Sequence, residues 1–159
     1  MKVLIIGLGN PLLGDDGIGP RVVRELKKYP MPPAVQAIEA GGSFFNYWGF
    51  LLQSHHIIAV DSMLGGGPAG TVYRVGPNSI DENKKCGIPH EIHFLDVLKM
   101  ASFYGSVPRL TILGVEPKNL NYSLALSPEI EAKVPELVKI ISSYCQTKID
   151  KEDLVQAGS

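Results

Sequence analysis

The opening stretch, Met1-Lys-Val-Leu-Ile-Ile-Gly-Leu-Gly-Asn-Pro-Leu-Leu-Gly-Asp-Asp-Gly-Ile-Gly19, leaves the chain few ways to fold. An apolar run from Val3 to Ile6, closed by turn residues, reads as a buried strand. It stops at Gly7 and Gly9. A loop of Asn10, Pro11 and Gly14 follows, carrying paired carboxylates at Asp15 and Asp16. Ile18, Val22, Val23 and Leu26 then recur at helical spacing. Strand, glycine loop with acids, helix is the start of a βα unit. In open α/β folds the junction beyond the strand's carboxyl end is where ligands bind.

The rest of the chain repeats that grammar. Lys27-Lys28-Tyr29-Pro30 closes the first helix with cations at its negative end. Val35 to Ala40 is a second strand ended by Gly41-Gly42. Ser43 is placed as the N-cap of a helix carrying Phe44, Phe45, Trp48, Leu51 and Leu52, an aromatic stripe suited to a core or to a docking face. The third strand runs from His56 to Asp61, continuous and apolar as a strand covered on both faces should be, and His55 and His56 at its start read as a solvated turn. The glycine-rich link from Met63 to Gly70 is too short for a crossover helix, so Thr71 to Val75 is expected antiparallel at the sheet edge. After a polar loop, Gly76 to Pro89, His90 opens a helix with Ile92, Leu95, Leu98 and Met100 on or near its apolar face, and Leu110 to Val115 is a fifth strand. Ser127-Pro128-Glu129 starts the last helix, which Pro135 should kink or split. From Gln146 onward the sequence turns polar and is expected to fray.

The expected architecture is therefore a three-layer α/β/α sandwich: a doubly wound, five-stranded, mostly parallel sheet with one antiparallel edge strand. Residues 1–145 form one domain and 146–159 a tail. A chain of 159 residues buries enough surface to be stable without disulfides or metal. Its net charge of -1 gives no electrostatic basis for a nucleic acid or anionic membrane partner. No apolar run approaches the roughly 20 residues that span a bilayer, and the N-terminus lacks a signal peptide. The only cysteines, Cys86 and Cys145, make no framework, which fits a cytoplasmic protein.

Asp16 and Asp61 lie beyond strand ends and His90 opens a helix packed on the same sheet. Two carboxylates and an imidazole are a donor set for Ni²⁺ or Zn²⁺ with positions left open. The same three residues also suit helix caps and a loop hydrogen bond, so spacing by itself decides nothing. All three are expected as surface groups in a cleft. Asp15 reads as a cap beside the site, and Asn10 with Gly41-Gly42 as loop geometry near it. His93, three residues beyond His90, reads as a bystander, and Cys145 as structural.

Gly7-x-Gly-Asn10, Leu12-x-Gly-Asp-Asp16-Gly-x-Gly19, Gly41-Gly42, Ile58-x-Val-Asp61, Pro89-His90 and Leu113-Gly-Val-x-Pro117 occur in order along nearly the whole chain. Together they resemble the hydrogenase maturation endopeptidases. The resemblance implies a peptidase that removes a C-terminal extension from the large-subunit precursor of a [NiFe] hydrogenase after nickel insertion. It further implies that Asp16, Asp61 and His90 hold nickel supplied by the precursor, a site other divalent cations can occupy in vitro. Some family members carry Glu where this chain has Asp16, a longer reach for the same carboxylate. Asp16 and Asp61 are the candidate catalytic bases, the alternative being a metal-polarised water. The partner implied is the precursor, with the protein itself a monomer in isolation.

Other readings fit less well. A dinucleotide fingerprint needs a third glycine where Leu12 stands, and Asp15 and Asp16 would face the pyrophosphate. Gly7-Leu-Gly-Asn-Pro11 resembles the opening of peptidyl-tRNA hydrolases, but Gly14-Asp15-Asp16-Gly17 replaces the histidine-asparagine pair that follows there. A nickel-dependent chaperone that binds the precursor without cutting it differs from the peptidase only in the length of the product.

Overall fold

A computed structural model of the protein describes residues 1–40, 44–76, 99–100, 102–105 and 108–157. Five strands form one sheet in the order β2-β1-β3-β5-β4. They are β1 (Val3–Gly7), β2 (Val35–Glu39), β3 (His56–Ser62), β4 (Val72–Val75) and β5 (Arg109–Val115). β1 pairs in parallel with β2 and β3, β3 in parallel with β5, and β4 runs antiparallel along the outer edge of β5. The mostly parallel sheet with one antiparallel edge strand is the one the sequence predicts. Among the described residues the α-helices are α1 (Ile18–Leu26), α2 (Trp48–Gln53), α3 (Pro128–Glu131) and α4 (Val134–Ala157).

Period-two alternation along the strands builds two cores. Val3 and Ile5 of β1, Ile58 and Val60 of β3, and Leu113 and Val115 of β5 face α1 and α4, where Ile18, Val22, Val23, Leu137 and Ile141 meet them. The intervening residues Leu4, Ile6, Ile57, Ala59, Leu110 and Ile112 face the other way, against Leu51, Tyr47 and Trp48 around α2. β1 and β3 are buried at every position, so Val3 to Ile6 and Ile57 to Val60 read as unbroken apolar runs.

Several expectations change. The helix expected from Ser43 is a 3-10 turn, Phe44–Tyr47, running into the short α2. Of its stripe, Leu51 is buried while Trp48 and Leu52 are half-buried. His56 is no turn residue. It is the first residue of β3, 2% exposed, and its Nε2 shares a hydrogen bond of 3.0 Å with Thr111 Oγ1 while Nδ1 meets the Tyr144 hydroxyl. Its two ring nitrogens have partners on β5 and α4, which makes burial tolerable. His55 is exposed, its Nδ1 accepting from the Lys2 amide at 2.9 Å. Pro135 stands second in α4, after a break that separates α3, so the helix splits ahead of the proline where its missing amide costs nothing. The last helix does not end near Cys145 but continues to Ala157. Ser43, Gly41-Gly42, Cys86, His90 and His93, with most of the helix expected after His90, lie outside the described residues.

Candidate active site

The chain leaves β1, returns through α1 to β2 on one side, then passes through α2 to β3 on the other side of β1. The strand order therefore reverses between β1 and β3, and this switch point is where open α/β sheets leave a crevice beyond the strands' carboxyl ends. Asp16 follows β1 and Asp61 is the next-to-last residue of β3, so one acid stands on each side of that crevice.

Glycines let the backbone close over it. A Cβ on Gly19, at the start of α1, would lie 2.2 Å from Leu8 O and 2.4 Å from Val60 O, so the helix begins directly against the ends of β1 and β3. Gly9 has φ +105°, and a Cβ there would fall 1.9 Å from Asp16 O and 3.3 Å from Asp61 Oδ1. Only glycine fits such a position at such a contact. The turn through Gly9 thereby packs against the Asp16 backbone and the Asp61 carboxylate together.

Hydrogen bonds fix both acids. The Asn10 amide donates to Asp16 Oδ2 at 2.7 Å, and the Ser62 hydroxyl donates to Asp16 Oδ1 at 2.7 Å. The Ser62 amide donates to Asp61 Oδ1 at 2.8 Å. Ser62 thus ties the two carboxylates from one position, with its side chain on one and its main chain on the other. Neither acid is the surface cleft group expected: Asp16 is 7% exposed and Asp61 is not exposed at all. The reason is local. β3 is flanked on both sides, and the loop after β1 folds back over its end.

Asp15, one residue away, does something else. Its carboxylate accepts from the amides of Lys118 (2.9 Å), Asn119 (2.8 Å) and Ser127 (2.6 Å) and from the Ser127 hydroxyl (2.9 Å). It caps neither the 3-10 turn Gly14–Gly17 that contains it nor α1. It anchors the segment from Lys118 to Ser127 to the loop after β1. Ser127 correspondingly gives its hydroxyl to Asp15 rather than to its own helix. The other side of the rim is held by Glu116, which the sequence did not single out. Glu116 Oε2 accepts from the amides of Gly65 (2.6 Å) and Gly66 (3.1 Å) and from the Tyr73 hydroxyl (2.9 Å), fixing the glycine-rich link after β3. Burial, and then this bond to a carboxylate, push the Tyr73 phenol above its ordinary pKa.

Two buried carboxylates side by side at a sheet's switch point can share a cation or hold a water and take its proton. Among the described residues no group of three or more His, Cys, Asp or Glu side chains gathers to hold a metal. His90, the expected third ligand, lies outside them. The last cysteine plays no part: Cys145 is buried in the α4 core, and burial pushes its thiol up to about 11.

Fold and rim together define a mostly parallel α/β domain with an acidic centre at the switch point. A family model for hydrogenase maturation proteases (HycI) matches residues 20–144, and the chain belongs to that family. It is 29% identical over 157 residues to the hydrogenase 2 maturation protease of Escherichia coli K12, covering 94% of each chain. Among solved structures it superposes on the hydrogenase maturating endopeptidase HybD of E. coli with a TM-score of 0.83 at 28% identity, over 93% of this chain and 94% of that one. On a hydrogenase 2 maturation peptidase from a Thaumarchaeota archaeon the TM-score is 0.66 at 32% identity, over 89% and 96%. The resemblance read from the sequence is thus borne out, and with it the fold and an endopeptidase's activity. No described helix is long and apolar enough to cross a bilayer.

Proposed function

We propose that the protein removes the C-terminal extension from the large-subunit precursor of a [NiFe] hydrogenase once nickel is in place. The observation that carries this reading is the pair Asp16 and Asp61, brought to one switch point and tied by Ser62. Nickel belongs to the substrate. Asp16, Asp61 and His90 complete its coordination, so a precursor without nickel docks poorly and cleavage acts as a checkpoint on metal insertion. The scissile carbonyl is attacked by water, a proton passes to Asp16 or Asp61 as general base, and the C–N bond breaks with the amine leaving protonated. The reading carries a cytoplasmic protein that acts as a monomer.

The test is the electrophoretic mobility of nickel-loaded and nickel-free precursor before and after incubation. Wild-type protein is expected to shorten only the loaded form, and Asp16→Asn, Asp61→Asn and His90→Ala to shorten neither. The amides keep the volume of the buried acids, so circular dichroism should show an unchanged fold. Two of the three variants working at the normal rate would overturn the site. A precursor that is bound but never shortened would make the protein a chaperone.

A further inference from the structure

The bonds that fix Asp15 also build a surface. The loop after β1 and the segment that follows β5 run side by side: Ser123 N donates to Leu12 O at 3.0 Å, Gly14 N to Ser123 O at 2.9 Å, and Asp15 N to Asn119 O at 2.9 Å, with Leu13 and Ser123 paired as a parallel bridge. This paired platform carries Leu12, Leu13, Leu120, Tyr122 and Leu124, all exposed, the last two at 75% each. Apolar side chains scattered singly over a surface need no explanation, but five on one hydrogen-bonded pair of loops mark an interaction site.

We propose that this platform is the docking surface for an apolar stretch of the hydrogenase large-subunit precursor. The inference rests on the function proposed above. Continuity selects this occupant. Asp16 is the residue after Asp15, which clamps the two loops together, so the platform is rigidly joined to the carboxylates that reach the scissile bond. Any chain entering the switch point passes its edge. The charges around it are already spent on one another, Lys118 on Glu129 and Arg21 on Glu131, which leaves apolar contact as the means of holding a polypeptide there. Coordination of one ion fixes a point; the platform supplies area.

Nickel-free precursor separates this proposal from the one it rests on, because the checkpoint leaves it uncut while the platform contact remains. Its dissociation constant should rise at least tenfold for Tyr122→Ser/Leu124→Ser relative to wild type, and less than twofold for Phe103→Ser, an exposed aromatic on the segment that precedes β5 rather than on the one that follows it. Loading the precursor with nickel should tighten wild type and double variant by the same factor. A double variant that binds within twofold of wild type, or that loses no more than Phe103→Ser, overturns the surface even if processing is normal. So does a wild-type dimer, seen by sedimentation, that the double variant abolishes while precursor affinity stays. If the double variant misfolds, a photo-crosslinking phenylalanine analogue in place of Tyr122 decides. Crosslinks within the precursor's C-terminal region support the platform, and crosslinks only elsewhere overturn it.

Discussion

Ser62 lies between Asp16 and Asp61, giving its hydroxyl to one and its amide to the other. A hydroxyl donated to a buried carboxylate both orients it and partly replaces the water it has lost. If the acids complete the precursor's nickel site as proposed, Ser62 stands one step behind a metal ligand, and groups so placed typically change affinity 10- to 100-fold when removed. On the proposed function, Ser62→Ala should therefore weaken binding of the nickel-loaded precursor by about tenfold, measured as its dissociation constant. Melting temperature should fall only a few degrees, since one hydrogen bond is lost and no cavity larger than an oxygen is made. Affinity equal to wild type would reduce Ser62 to a packing residue. The two acids themselves were legible in the sequence, because a carboxylate just beyond an apolar run can be placed at a strand's end from pattern alone. Ser62 was not, since a serine after a strand looks like the start of a turn. Asp15 was assigned to the wrong partner for the same reason: its four donors lie more than 100 positions away, and local spacing offers only a helix to cap. The burial of His56 likewise depends on Thr111 and Tyr144, which adjacency cannot reveal.

At the scale of elements, the close contact between α1 and the strand ends sets the width of the crevice. A Cβ on Gly19 would run into Leu8 O and Val60 O, and one on Gly7 into Gly19 O, so an added methyl has only backbone to push against. Side chains can swing aside, whereas a sheet and a helix end cannot. Gly19→Ala is expected to cost about 3 kcal/mol or more, near the upper end for overpacking. For a domain of this size that lowers the melting temperature by roughly 6–12 °C. Calorimetry would read it, and a loss under about 1 kcal/mol would mean that α1 can slide. The elements were largely legible because each carries its own period and its own stops. The antiparallel edge strand β4 followed from loop length alone. The 3-10 start before α2 was not legible, since its residues share the apolar character of the helix they lead into. Nor was the length of α4, whose second half is polar apart from Ile149, Leu154 and Val155 while its helical propensity remains good.

Across the whole molecule, α4 seals one face of the sheet, and Cys145 is a reporter of that seal. It lies 3% exposed among Ile5, Val35, Leu26 and Ile141 of the same core cluster. Burial raises its thiol from 9.0 to about 11, so the folded state holds a proton that the unfolded chain gives up first. A raised folded-state value means the contribution is fully present below pH 9 and is lost as pH climbs toward 11. Between pH 8 and pH 10.5 the wild type should consequently lose about 2 kcal/mol that Cys145→Ala does not. The tyrosines raised by burial, Tyr73 and Tyr144, act in the same direction but are common to both proteins and cancel in the difference. Urea unfolding of the pair at the two pH values supplies the number. Alanine lowers stability by a small packing loss at both, so only the change with pH carries the result. Curves that stay parallel would show that the thiolate reaches water without unfolding, and hence that α4 opens from the sheet as a unit while the strands stay paired.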